Sequence, residues 1–336
     1  MHKLKNIKCL NKIIIKKKII IIMHINPDGD ALGSSLALYF FLKKKNKIKI
    51  ILPNKYPESL KWMVIKEDFL IYKENNKKIL KIFKESNIIF CIDFSNLSRI
   101  GKIKKIIEKS TLIKIIIDHH WNLENFSDLN FYDKNSSSCS EIIYKILNKI
   151  KKKISKKISE YLYTGIITDT GSFKNPNTNY ETFKIASNLI KNGTDIQKIN
   201  DLIYKNNSIE KIEFLSFAIK KRLVILKKWK ISYFYIKKND TKKFNLSTED
   251  TKELLNYIMS LKENIVSALI IERKNKTKIS LRSNGNFNVN KIAKKYFNGG
   301  GHKNASGGYS NSKLMETIKE FEKNIKKNIS ETNLYI

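Results

Sequence analysis

Cysteine is scarce in this chain, with three residues (Cys9, Cys91 and Cys139) in 336. Odd in number and widely scattered, they form neither a disulfide framework nor a zinc-spaced cluster, and each reads as an ordinary thiol. Long apolar runs are missing too. The nearest to one, Ile13–Met23, is split by Lys16, Lys17 and Lys18, so no window has the length that a membrane helix needs. A secretory leader is not expected, because Ile19–Met23 runs straight into His24-Ile25-Asn26-Pro27-Asp28 without a small-residue cleavage site. These absences predict a cytoplasmic protein with no membrane partner. Acidic residues are also few, 31 against 66 Lys and Arg, which leaves a net charge of +35. The excess suits a nucleic-acid binder. However, Lys, Ile and Asn recur everywhere, including helix faces with no evident task, as an A/T-rich coding bias would produce. Only part of the charge is therefore assigned to an anionic substrate.

Apolar residues make up 41% of the chain, enough to bury the cores of two modest domains. In the first half, Ile-rich runs at Ile19–Ile22, Ile48–Leu52, Ile88–Ile92 and Ile113–Ile117 alternate with helical patterns such as Ala31–Lys45. Continuous apolar strands between helices predict an α/β fold, a parallel sheet with helices on both faces. Helices then dominate Ser138–Lys191 and stop near Asn192-Gly193. A connecting helix is expected over Ser208–Lys221. Beyond it come an aromatic strand (Ile231–Ile236), a capping box at Ser247–Asp250, a strand pair (Ile265–Glu272 and Lys278–Arg282) and a helix (Val289–Phe297). A terminal helix over Leu314–Ile329 closes a smaller α+β domain. The expected division is 1–195, a linker helix over 196–222, and 223–336.

Histidine is used sparingly, and four of the five histidines fall in chemically loaded positions. His24-Ile25-Asn26-Pro27-Asp28-Gly29-Asp30 sits where a strand ends and a helix begins, the usual ligand-binding end of an open α/β sheet. One imidazole and two carboxylates on so tight a turn repel or desolvate one another without a cation, and a divalent metal takes such ligands. The bland alternative is a turn with an Asp helix cap. Asp93 lies just past the strand Ile88–Ile92. Asp118-His119-His120 directly follows Ile113–Ile117, and Asp169 lies in Thr168-Asp169-Thr170-Gly171, where a plain helix stop is the alternative. Together these side chains match the ligand count of two divalent ions sharing a carboxylate, the arrangement that activates water and clamps a phosphoryl group. Five of the twelve glycines fall in Gly299-Gly300-Gly301-His302-Lys303-Asn304-Ala305-Ser306-Gly307-Gly308. Such a run lets backbone N–H groups approach a phosphate, and Arg282 and His302 can add charge-assisted contacts.

This order of motifs resembles the DHH phosphoesterase superfamily, named for the triplet seen here at Asp118-His119-His120. The glycine-rich run resembles the DHH-associated domain, and the whole is similar to the branch of bacterial oligoribonucleases and pAp phosphatases. The resemblance spans about Lys18 to Tyr309. It implies two domains facing each other across a cleft and two divalent ions, with manganese the usual metal and magnesium allowed. His24, Asp28 and Asp93 would hold one ion. Asp30, Asp93, His119 and Asp169 would hold the other, with Asp93 bridging. His120 would contact the scissile phosphate, Asp118 would orient a neighbouring group, and Arg99 stands where this branch often has an arginine. Arg282, Ser283, Gly299, Gly300, Gly301 and His302 would hold the distal nucleotide. One departure is Cys139, in Ser136-Ser137-Ser138-Cys139-Ser140-Glu141, where relatives usually carry threonine.

The expected activity is hydrolysis of short oligoribonucleotides and of pAp. The expected partners are therefore short RNA or nucleotide substrates, and a homodimer is compatible with the sequence. Three alternatives carry weight: a RecJ-type single-strand exonuclease, a dinucleotide phosphodiesterase, and an RNA-binding protein without catalysis. The last fits the charge but not the acidic constellation, which would repel RNA unless cations fill it.

Overall fold

A computed structural model describes residues 9–331 except 11, 66, 122, 151–153, 206 and 247–249. The chain divides into two compact units, Met1–Asn206 and Asn207–Ile336. Among the described residues no helix is long and apolar enough to cross a membrane.

The first unit is built on six strands: β1 (Lys18–Met23), β2 (Lys47–Leu52), β3 (Phe69–Ile71), β4 (Ile88–Ile92), β5 (Ile113–Asp118) and β6 (Leu129–Tyr132). Their order is β3-β2-β1-β4-β5-β6, and every pairing is parallel. The Ile-rich runs form these strands because β-branched side chains suit a pleated surface and both faces are covered. Ile19, Ile21 and Met23 of β1 enter one core, with α1 (Gly29–Leu42) and residues of 139–150 and 154–167 packed over it. Ile20 and Ile22 enter the other, with Ile79 and Phe83 of α2 (Tyr72–Glu85), Ile100, and Ile107 of α3 (Lys104–Glu108). Each of these isoleucines is fully buried, worth about 1.5–3 kcal/mol apiece in transfer free energy. The short edge strands β3 and β6 were not anticipated. They carry three and four residues, too few for a periodic signal.

Helices α4 (Cys139–Ile150), α5 (Lys156–Asp169) and α6 (Tyr180–Lys191) follow. The expected linker helix over 196–222 is instead two helices, α7 (Ile196–Tyr204) and α8 (Ile209–Arg222). Ile199 of α7 packs in the first unit's core, whereas Phe214 and Ala218 of α8 pack in a core of the second. Ser208 starts α8 by accepting a hydrogen bond from Lys211 N–H, the ordinary N-cap device.

The second unit holds β7 (Leu223–Leu226), β8 (Ile231–Ile236), β9 (Val266–Glu272), β10 (Thr277–Ser283), β11 (Gly300–His302) and β12 (Ala305–Ser310). The order is β11-β12-β10-β9-β8-β7, with β8 and β9 parallel and the other pairs antiparallel. Residues 289–296 and the terminal helix Leu314–Glu331 cover one face, through Ile292, Phe321 and Ile325. Helix α8 and residues 254–259 cover part of the other, through Phe214, Leu254 and Ile258. The capping box expected at Ser247–Asp250 falls largely outside the described residues; a 3-10 turn, Asp250–Glu253, follows it.

Candidate metal centre

The parallel topology sets the C-terminal ends of β1, β4 and β5 side by side, and each end delivers ligand-type side chains. His24 follows β1 directly and is buried. Its Nδ1 lies 2.8 Å from the carbonyl of Ile25. A carbonyl only accepts, so Nδ1 carries the proton and Nε2 is left to face the cluster. Asp28 caps α1, its Oδ1 accepting from the N–H groups of Asp30 and Ala31, while its Oδ2 is 3.9 Å from His24 Nε2. The plain reading of Asp28 as a helix cap is thus correct for one carboxylate oxygen and leaves the other available.

Asp93, after β4, is 2% exposed and has a left-handed φ of 64°. Its carboxylate lies 3.4 Å from His24 Nε2, 3.6 Å from His119 Nε2 and 3.5 Å from His120 Nδ1. His119 turns its Nδ1 to the carbonyl of Ser136 at 3.3 Å, which again leaves Nε2 for the cluster. His120 turns Nδ1 to Asp118 Oδ1 at 2.9 Å. Asp118 is fully buried at the end of β5, so it fixes the ring of His120 and leaves Nε2 as the atom able to meet a substrate.

Asp30 is clamped from across the fold: Oδ2 accepts from Cys139 N–H at 2.7 Å and Oδ1 from Ser140 N–H at 3.0 Å. These are N–H groups at the start of α4, where a helix favours negative charge. Gly165 of α5 is what makes room, since a Cβ there would lie 2.6 Å from Asp30 Oδ1 and 2.0 Å from Ser140 Oγ. Asp169 ends α5 and lies 3.6 Å from His119 Nε2. Asn177 donates to the Asp169 carbonyl at 3.4 Å and to the Ser137 carbonyl at 2.8 Å. Ser140, Gly165 and Asn177 escaped the sequence reading. Nothing local marks the first two; the Asn175-Pro176-Asn177 turn was the one available signal. Cys139 keeps its thiol on the Ile117 carbonyl and serves Asp30 through its main chain, so a threonine is not required there. Arg99 joins the site through its backbone, its carbonyl accepting from Ile25 N–H at 2.7 Å.

The electrostatics are those of a crowded, mixed-charge site. Burial opposes ionisation of Asp93, yet pairing with His119 and His24 outweighs it and holds that carboxyl well below its usual range. Burial lowers the two histidines, but Asp93 prevails and lifts His24 to about 8 and His119 to about 10. Burial, followed by the charges of Asp93 and Asp28, pushes Asp169 up to about 7 against the pull of His119. Burial, Asp93 and Asp169 together push Asp30 well above its ordinary value.

His24 Nε2, His119 Nε2 and Asp93 Oδ1 are buried without a hydrogen-bond partner among the described residues. Polar atoms so placed cost free energy unless something else satisfies them. Their chemistry, imidazole nitrogen and carboxylate oxygen, suits divalent cations. Two groups whose ligand atoms all lie within 4.8 Å of one another are His24/Asp28/Asp93 and Asp30/His119/Asp169. Asp93 also groups with His119 and His120, and with Asp30 and Cys139, which places it between the two triads. The residues present therefore fit a pair of divalent ions.

In the second unit, the register sets Arg282 opposite Ala305, and Ala305 opposite His302. Directly paired residues share a sheet face, so Arg282 and His302 flank Ala305 on one side. Arg282 is half-buried and His302 exposed. Ser283 does not join them: it points to the buried face, donates from Oγ to the Phe287 carbonyl at 2.7 Å and accepts from Asn304 Nδ2 at 3.0 Å. Alternation along β10 turns the Ser283 side chain, expected to hold a nucleotide, toward the core. The glycine-rich run is an antiparallel strand pair rather than an open loop. Gly299 is demanded by packing, as a Cβ there would lie 2.1 Å from the Gly307 carbonyl, and Gly301 takes φ 143°. Gly300 has room for a Cβ.

The N-terminal domain of the DHH family matches residues 18–166, and the DHHA1 domain matches residues 228–331. A probable bifunctional oligoribonuclease and PAP phosphatase, NrnA, of Streptococcus mutans is 30% identical over 313 residues, covering 90% of this chain and 93% of that one. The bifunctional oligoribonuclease and PAP phosphatase NrnA of Bacillus subtilis is 28% identical over 293 residues, covering 86% and 88%. An exopolyphosphatase-related protein of Bacteroides fragilis, of known crystal structure, matches with a TM-score of 0.92 and 34% identity over 97% of both chains. With both domains matched in order and a relative at this identity over nearly its full length, the chain belongs to the DHH family of phosphoesterases.

Proposed function

We propose that this phosphoesterase hydrolyses short oligoribonucleotides to mononucleotides and pAp to AMP and phosphate, with two divalent cations, manganese before magnesium. The observation that carries the reading is Asp93 between two ligand triads, with His120 held beside it by Asp118. Divalent cations held by His24, Asp28 and Asp93, and by Asp30, Asp93, His119 and Asp169, would supply Lewis acidity to the phosphoryl group and a water of lowered pKa. The chain's own part is to hold those ligands aligned. The carbonyls of Ile25 and Ser136 set the tautomers of His24 and His119, and the α4 N-terminus holds Asp30. His120, with Nδ1 spent on Asp118, offers Nε2 to the scissile phosphate and can pass a proton to the leaving oxygen. In the second unit, the face carrying Arg282, Ala305 and His302, with the backbone of Gly300, would hold the phosphate remote from the one that is cleaved. Relatives named for both activities support this substrate class.

The test is a ladder of 5′-labelled RNAs from two to about twenty-four nucleotides, assayed with manganese beside pAp. Surface lysines add affinity for long RNA, but that affinity is screened by salt and does not lower the barrier from the bound state. Higher turnover on dimers to pentamers than on the longest RNA at physiological salt, with phosphate release from pAp, is the expected outcome. Equal kcat/KM along the ladder without pAp hydrolysis would favour a processive exonuclease.

A further inference from the structure

Three tryptophans occur in the chain, and two of them have structural work. Trp62 packs against the core of the first unit and Trp229 against that of the second. Trp121 belongs to no core. It is 64% exposed and follows His120 directly. An indole left in water at that position has no packing reason to be there.

Its surroundings are built. The main-chain carbonyl of Trp121 accepts from Ser95 Oγ at 3.4 Å, and two residues before Ser95 is Asp93. Glu124 then ties the same segment down twice, its N–H donating to the Ser95 carbonyl at 2.9 Å and its Oε2 accepting from Leu97 N–H at 2.9 Å. Phe126 stacks on Phe94 with ring centroids 6.2 Å apart. The segment that carries Trp121 is thus fastened to the loop that carries Asp93. Lys134, two residues past the end of β6, places its ammonium 5.0 Å from the centroid of the indole. Because β5 and β6 are parallel neighbours, Trp121 and Lys134 leave the sheet at the same end as His24, Asp93 and Asp118.

We propose that Trp121 is a stacking platform for the nucleobase of the nucleotide whose phosphate is cleaved, with Lys134 steadying the ring. An exposed aromatic ring is the general device for holding an unpaired base, because every base offers a π-face. A cation against one face of an indole orients it and leaves the rest of its exposed surface to the base. Trp121 would therefore set preference for a base-bearing substrate over a base-free phosphoester, without discriminating strongly among the four bases. The proposal rests on the nucleotide substrate argued above.

The experiment compares pAp with the corresponding abasic 3′,5′-bisphosphate on the manganese-supplemented full chain, for wild type, Trp121→Ala and Trp121→Phe. Wild type should prefer pAp. Trp121→Ala should narrow that preference by about 5- to 150-fold, the range that base–aromatic stacking spans, mainly through KM. Trp121→Phe should retain most of it. Tryptophan fluorescence gives a second readout: nucleotide titration should quench emission in wild type and far less in Trp121→Phe. An undiminished preference for pAp in Trp121→Ala, or quenching unchanged in Trp121→Phe, would overturn the assignment. It would also leave the exposed indole to a protein partner. Failure of wild type to cleave pAp would instead strike the substrate reading, so the two failures are distinguishable.

Discussion

Replacing Asp93 by asparagine is the most informative single change. Asparagine matches the shape of the side chain and, unlike alanine, readily adopts the left-handed backbone that Asp93 occupies at φ 64°. The variant therefore removes charge with little added strain. In wild type the carboxylate has imidazole nitrogens of His24, His119 and His120 at 3.4, 3.6 and 3.5 Å. Stripping one partner from such a buried pair costs about 3–5 kcal/mol. The same change relieves repulsion on Asp30 and Asp169, so the metal-free protein should lose less than that. The larger loss falls on cation binding, because one residue serves both triads. If affinity drops about 100-fold, a cation concentration that had been saturating loses about 2.7 kcal/mol of stabilisation. At about 2–4 °C per kcal/mol, the rise in Tm on adding manganese should shrink by about 5–11 °C, an estimate combining both steps. Phosphate release from pAp should fall by about 10⁴-fold in kcat/KM, as when one member of a catalytic unit is removed. Differential scanning with and without manganese, beside initial rates, measures both effects. A variant that keeps more than about a tenth of wild-type activity, or its full manganese-induced shift, would refute the placement of Asp93 between the two cations.

Chelator should abolish activity and manganese restore it better than calcium, which prefers longer bonds and more oxygen ligands; full activity in excess chelator would end the two-cation reading. In the cation-free protein His24 and His119 are raised to about 8 and about 10. The stability they contribute is therefore complete below their unfolded-state pKa of about 6.5 and disappears as pH climbs through the raised values. A cation must displace those protons and that of Asp169, so the manganese-induced rise in Tm should grow from about pH 6 to about pH 9; a shift independent of pH would contradict the assigned ligands. Asp118→Asn should free the ring of His120 and lower kcat by about 10²–10⁴-fold while leaving the manganese-induced Tm shift in place; loss of that shift would make Asp118 part of the cation site instead. Arg282→Ala should raise the KM for pAp more than it lowers kcat, and a fall in kcat with KM untouched would remove Arg282 from nucleotide binding.

Much of this molecule was legible locally. Runs such as Ile19–Ile22 and Ile113–Ile117 became strands because β-branched side chains buried on both faces leave few other choices. The ligand-type residues were visible because His24, Asp93 and Asp118 each stand just at or beyond a strand's end. Polar side chains there have no core to enter. Composition and motif order determined the α/β class and the small sheet domain, since periodicity and turn chemistry act over a few residues. The tertiary structure decided everything that depends on which residues meet. Strand order β1-β4-β5 puts His24, Asp93 and Asp118 side by side, and helix packing brings the Cys139 and Ser140 N–H groups onto Asp30 across Gly165. Pairing register turned Ser283 inward while setting Arg282 and His302 on one face. It also made the glycine-rich run a strand pair, with the Gly307 carbonyl requiring glycine at position 299. Register and packing are cooperative properties of segments far apart in the chain, where shifting a strand by one residue exchanges its two faces. No local pattern carries that information, and so the side chains were readable before the fold, but their partners were not.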